Sequence, residues 1–170
     1  MKQINRKDFI IRSGLGVTGL ILLPGIFKTQ SIPKQNPDKG PPLEILLVKE
    51  FVGAAHKDMA KVKTLLEANP DLLNSVNNLG GWDWEDAVSA AGHVGYTELA
   101  NFLLEKGARM TICVAAMLGK TDIVKSSIQS FPYMKDAVGP HKISLMRHAK
   151  AGGQNSLELL EYLKTLGLKE

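Results

Sequence analysis

Residues 91–108, AGHVGYTELANFLLEKGA, set the pattern that the rest of the chain is read against. Two small residues, Ala91-Gly92, suit the end of a short helix lying close against a neighbour. Gly95 suits a tight turn that needs a positive φ. Leu99 and Phe102-Leu103-Leu104 then fall on one face of a second helix. Gly107-Ala108 ends it. One such pair cannot bury its own apolar face, so the pattern makes sense only if it recurs and the pairs stack.

It does recur. Ala54-Ala55 precedes Asp58, Val62 and Leu65-Leu66; Ala115-Ala116 precedes Gly119, Ile123-Val124 and Ile128; His148-Ala149 precedes Gly152, Leu159-Leu160 and Tyr162-Leu163. Asp58 takes the turn position of the first unit, and Gly119 and Gly152 those of the third and fourth. Asn69-Pro70-Asp71-Leu72-Leu73-Asn74 closes the first long helix, echoed by Phe131-Pro132-Tyr133-Met134-Lys135-Asp136.

Residues 43–170 resemble the ankyrin repeat. Gly119-Lys120-Thr121-Asp122-Ile123-Val124-Lys125 is similar to the family's G-H-x-E-I-V-K run, and Phe102 to Ala108 to its L-L-L-E-x-G-A run. The resemblance implies an all-α fold: a short ankyrin-repeat solenoid of about four helix-turn-helix units. The array is degenerate. The first small residues, at 54, 91, 115 and 148, recur at intervals of 37, 24 and 33, and only the last equals the family's period. The T-P-L-H tetrad is missing, with Val52, Ser89, Cys113 and Met146 at its His position. The second unit therefore needs another helix start, and Asp83 is the expected N-cap. Ala108 and Thr111 are too close to carry a projecting finger. About three extra residues fall around Gly153 to Ser156.

Ahead of the repeats lies a different kind of sequence. The formal net charge of +4 resides wholly in residues 1–31, where Lys2, Arg6, Lys7, Arg12 and Lys28 face Asp8 alone. An uncharged stretch, Ser13 to Phe27, follows the basic segment. At fifteen residues it is too short to span a bilayer, which takes about 20, and suits a signal-peptide apolar region. Asn5-Arg6-Lys7-Asp8-Phe9-Ile10 resembles a twin-arginine export signal, with Lys7 where the second arginine stands; the Sec route accepts the same physical pattern. Residues 1–31 are thus expected to be an export signal read through Arg6, Lys7 and Phe9. Residues 32–42, with four prolines, form a stiff linker. The expected location is periplasmic or otherwise exported, with tethering to the membrane if the signal stays uncleaved.

From Ile32 onward basic and acidic residues balance, so no clustered face is available to displace phosphate counterions, and nucleic acid is not an expected partner. One cysteine excludes a disulfide scaffold and a multi-Cys zinc site. Cys113, between Ile112 and Val114, is expected to be buried and inert. No nucleophile elbow or triad spacing is present, Gly152-Gly153 lacks the Lys-Ser/Thr sequel of a phosphate loop, and Glu85 and Asp86 lack the cleft that paired catalytic acids need. No catalytic residue and no cofactor is assigned.

What remains is recognition of another protein by a monomer, with membrane contact only through the signal. Trp82 and Trp84, in the run Trp82-Asp83-Trp84-Glu85-Asp86, offer contact area. His141 and Lys142 sit at Gly139-Pro140-His141-Lys142, a run like an ankyrin hairpin tip. These four are the expected partner-binding residues. His56, His93, His141 and His148 all fall near repeat turns. Capping of helix ends is their preferred role, so no metal ligand is assigned, and a periplasmic metal- or small-ligand-binding protein using them stays as the alternative. An accessory subunit of a co-exported oxidoreductase is the other.

Overall fold

The computed structural model describes residues 40–169. The export signal, with Arg6, Lys7 and Phe9, and nearly all of the expected linker lie outside the described residues. The described chain is mostly helical. Its α-helices are α1 (Ile45–Ala54), α2 (Met59–Ala68), α3 (Ala87–His93), α4 (Thr97–Glu105), α5 (Ile112–Met117), α6 (Thr121–Ser130), α7 (Leu145–Ala151) and α8 (Leu157–Thr165). They pack as consecutive pairs, and the first helices α1, α3, α5 and α7 each lie against the next. No helix among the described residues is long and apolar enough to cross a membrane.

An all-α chain was expected; a small antiparallel sheet corrects this. Strands β1 (Val76–Gly80) and β2 (Asp83–Asp86) pair Val76 with Asp86, Asn77 with Glu85 and Asn78 with Trp84, and an irregularity near the tip leaves Gly80 opposite Asp83. Gly80 and Gly81, both at positive φ, make the reversal. Residues 83–86 of the Trp-Asp-Trp-Glu-Asp run are therefore strand, and of its acids only Asp86 opens a helix.

Side-chain caps begin three of the first helices, α3, α5 and α7. Asp86 accepts from the Ser89 amide at 2.8 Å, Thr111 Oγ1 from Val114 at 3.2 Å and Ser144 Oγ from Arg147 at 3.3 Å. Asp86, and not Asp83, starts the second unit. Asp58 is likewise a cap, accepting from the Lys61 amide at 2.9 Å with φ −132°, so the first turn closes without a left-handed residue. The proline runs behave alike: Pro70–Asn74 and Pro132–Asp136 are 3₁₀ turns placed directly after α2 and α6.

The first-helix faces that meet are built from small residues. Ala55, Ala90, Ala91, Ala115, Ala116 and Ala149 are all fully buried, which lets the backbones approach. Phe51, Leu72, Leu99 and Leu103 fill the core of the first two pairs, and Leu145, Leu159 and Leu163 that of the last two.

Contact is closest where the fourth pair meets the third. In the fourth turn the left-handed residue is Gly153, while Gly152, at φ −71°, lies so near the Met117 carbonyl that a Cβ would fall 1.9 Å from its oxygen. The extra residues form a 3₁₀ turn at Gly153–Ser156 that delivers the buried Ser156 hydroxyl to the Ala116 and Met117 carbonyls, at 2.8 and 3.0 Å. These carbonyls end α5, and Ser156 supplies them a partner from outside the helix, adding to the Gly119 amide that Ala116 already accepts at 3.2 Å. Gly119, at φ +65°, meets the same turn: its Cβ would stand 1.7 Å from the Asn155 oxygen.

Two glycine replacements should therefore act in opposite directions. Gly119→Ala combines a left-handed φ with a backbone collision and is expected to cost on the order of 3 kcal/mol or more. Gly53→Ala, in the exposed face of α1 with nothing within 4 Å of the new methyl, should gain about 0.5–1 kcal/mol. Urea unfolding of both variants checks the pair.

Candidate functional site

The hairpin and the loop before α7 meet at one end of the described chain. β2 alternates: Glu85 is 3% exposed and Asp83 half-buried on one side, while Trp84 is 52% exposed. Trp82, at the tip, is 93% exposed and held at φ +66°. The facing loop is pinched by a bridge between Val138 and Ser144, with the Gly139 amide donating to the Ile143 carbonyl at 2.9 Å. His141 and Lys142 both have φ +57°, an unusual conformation for side chains of their size. Asp83 holds it in place by accepting the His141 amide on both carboxylate oxygens, at 3.0 and 3.1 Å.

Between them lies a groove of about 500 Å³, walled by Trp82 and Trp84 on one side and by Val138, Pro140 and Lys142 on the other, with Arg109, Ile112 and Cys113 also lining it. Of the four residues expected to contact a partner, Trp82, Trp84 and Lys142 line this groove. The His141 ring instead turns toward Glu85.

That ring joins a polar cluster under the hairpin. Glu85 Oε1 lies 3.2 Å from His141 Nε2, 3.4 Å from His56 Nε2 and 3.5 Å from His93 Nδ1. The His93 ring stands edge-on between the other two, with centroids 4.9 Å from His56 and 5.2 Å from His141. Each ring arrives by a different route: His56 from the turn after α1, His93 from the last residue of α3, and His141 from the loop. His56 Nδ1 lies 3.2 Å from the Val52 carbonyl; a carbonyl only accepts, so Nδ1 carries a proton and Nε2 is the nitrogen turned to the cluster. Among the described residues, this is the group whose donor atoms converge closely enough to hold a metal ion, all within 4.8 Å of one another.

Burial governs the charges here. Desolvation raises the Glu85 carboxyl above its ordinary value, against the opposing pull of His56 and His141. Burial, followed by the neighbouring His56, His141 and His148, pushes His93 down to about 4. Its Nδ1 makes no well-formed hydrogen bond, and the Ser89 carbonyl one turn back favours the protonated ring only weakly. His93 is thus neutral at pH 7.

His148 stays apart. Its Nδ1 donates to the Ser144 carbonyl at 3.0 Å, and its fully buried Nε2 finds no hydrogen-bond partner beside Gly139, where a Cβ would lie 2.9 Å away. Cys113 is buried, and desolvation pushes its thiol up to about 11. Compared with known families and characterised proteins, the chain matches no family model and no curated sequence.

Sequence spacing placed all four histidines near turns; His56 lies in the turn after α1, His93 ends α3 and His141 sits in the loop before α7, whereas His148 lies within α7. The partner that gathers three of them, Glu85, gave no sign: its acid is one of three in a run of carboxylates and aromatics.

Two measurements follow from this chemistry. A thiol reagent at pH 8 should leave Cys113 unmodified in the native protein and label it once denaturant is added. The pH dependence of stability, taken with a chelator present, has a definite sign. His93 and His148 have folded values below the unfolded 6.5, so their contribution is complete above pH 6.5 and is lost on acidification, that of His93 as pH falls toward about 4. Glu85 acts oppositely, favouring the folded state at low pH. The urea midpoint should fall on acidification across this window, by about 1–2 kcal/mol in net stability. His148→Gln should flatten the slope.

Proposed function

We propose that this chain is an exported, ankyrin-type repeat protein that recognises another protein through the groove between its hairpin and the 138–142 loop, without catalysis of its own. The observation that carries this reading is Trp82, an indole almost wholly in water at the tip of a hairpin, beside the half-exposed Trp84. Trp is enriched among residues that dominate binding energy because one ring buries a large area with little entropy to lose. An indole presented in this way gains that energy only when a partner covers it.

The repeat assignment is supported by four helix pairs, in three of which the first helix is the shorter, by Gly95 and Gly119 at positive φ between the helices of the second and third pairs, and by the matching Pro-led turns after α2 and α6. The order of basic, apolar and proline-rich segments in residues 1–42 supports export. The buried thiol of Cys113, pushed up by desolvation, offers no nucleophile. The groove mixes apolar walls with Arg109, Lys142, Asp83 and Asp86, which suits a partner segment carrying apolar side chains between polar ones.

The test is comparative capture from the envelope fraction of the native cell. The wild-type protein is expected to retain one stoichiometric partner in moderate salt. Trp82→Ala and Trp84→Ala should each weaken that complex by about 30-fold or more, the loss typical of a hot-spot residue. Equal retention by the double variant would remove the groove from consideration.

A further inference from the structure

We propose that His56, Glu85, His93 and His141 form a binding site for one divalent transition-metal ion of the zinc type. The inference stands on the geometry of the cluster and is independent of the recognition groove.

Measured from Glu85 the distances fit an ion, while the donor atoms as a set lie within 4.8 Å of one another, so the rings draw together when it binds. Bonds of about 2.0–2.1 Å from a tetrahedral ion place neighbouring ligand atoms about 3.3–3.4 Å apart. Glu85 Oε1 lies 3.4, 3.5 and 3.2 Å from the three imidazole nitrogens. An ordinary hydrogen-bonded carboxylate would draw one or two donors to about 2.8 Å on separate lone pairs. Here three rings share a single oxygen, and only His141 is placed to donate to it.

The alternative, that the rings merely solvate a buried acid, leaves two groups badly placed. With Nδ1 spent on the Val52 carbonyl, His56 turns Nε2 to Glu85 at 3.4 Å; in the neutral ring a lone pair faces the carboxylate there, and a proton or a metal ion between them relieves the repulsion. His93, only 10% exposed, keeps Nδ1 without a partner. One ion accepts both lone pairs and balances the buried charge of Glu85. Three neutral imidazoles and one carboxylate, with no thiolate in the set, select zinc, copper, nickel or cobalt over calcium or magnesium, which prefer oxygen.

The surroundings match a ligand shell. Asp83 Oδ2 lies 3.8 Å from His141 Nδ1 while its carboxylate grips the same residue's amide, so the one strained ligand is steered from outside. His56 and His141 are 30% and 45% exposed, so an ion enters from their side and keeps an edge open to water.

The experiment titrates zinc chloride into the chelator-stripped full-length chain by calorimetry, with cobalt(II) as a spectroscopic probe. One ion per chain is expected, with the intense visible absorption of low-coordinate cobalt bound to nitrogen. Glu85→Gln keeps the shape of the acid, and His141→Gly suits the left-handed φ at that position, so both should fold. Each should weaken zinc binding by about 100-fold or more, given that even outer-shell changes cost 10–100-fold. Glu158→Ala, at a surface ion pair between α6 and α8, should bind as wild type. The proposal is overturned if the stripped protein takes up none of zinc, copper, nickel or cobalt. It is equally overturned if Glu85→Gln and His141→Gly, shown folded by circular dichroism, bind zinc as tightly as wild type.

Discussion

A carboxylate removed from water has to be compensated, and Glu85 is the residue around which this end of the molecule is arranged. Taking an ionised acid out of solvent is costly unless positive or polarisable groups replace the lost hydration. They come from three places far apart in sequence. His56 ends the turn after α1, His93 ends α3, and His141 sits on the loop before α7. To meet Glu85 the hairpin must fold back over α3 and the loop must reach across to the hairpin. The conformation of the whole face follows from that one burial.

The same constraint links the cluster to the groove. Glu85 and Trp84 are neighbours on β2, so anchoring one presents the other. His141 and Lys142 are neighbours on the loop, with the same relation. The two walls of the groove are thus each held by a member of the polar cluster. All three non-glycine residues of positive φ among the described residues, Trp82, His141 and Lys142, lie here. Such backbone states persist only where surrounding contacts enforce them, and they gather at sites of function. The opposite situation holds at the junction of the third and fourth pairs, where Gly119, Gly152 and Ser156 leave no free space. That region is built for packing.

Much of the helical organisation was legible because its causes are local. Alternation of small residues, a turn glycine and an apolar face is a matter of a few neighbouring side chains, and so is a proline that starts a 3₁₀ turn. The errors have physical reasons too. Asp83 and Asp86 are equally good caps in sequence; only the hairpin, in which Asp83 lies opposite Gly80, makes Asp83 a strand residue and leaves Asp86, at the strand's end, to cap the helix. Gly152 and Gly153 are adjacent, and the left-handed turn falls on the second because the first is pressed against Met117. The β-hairpin escaped notice since Asn77, Asn78 and Gly80 carry no alternating apolar signal.

By itself, then, the sequence determined the helix pairs and most of their turns, since these depend on contacts within a few residues. It also determined that Trp82 and Trp84 stand beside acids in a short polar run. Tertiary structure alone decided which histidines meet, that Glu85 is the acid they surround, and that His148 is left out. Those outcomes depend on the angle at which successive helix pairs stack and on the reach of two loops, quantities summed over many weak contacts between residues distant in the chain.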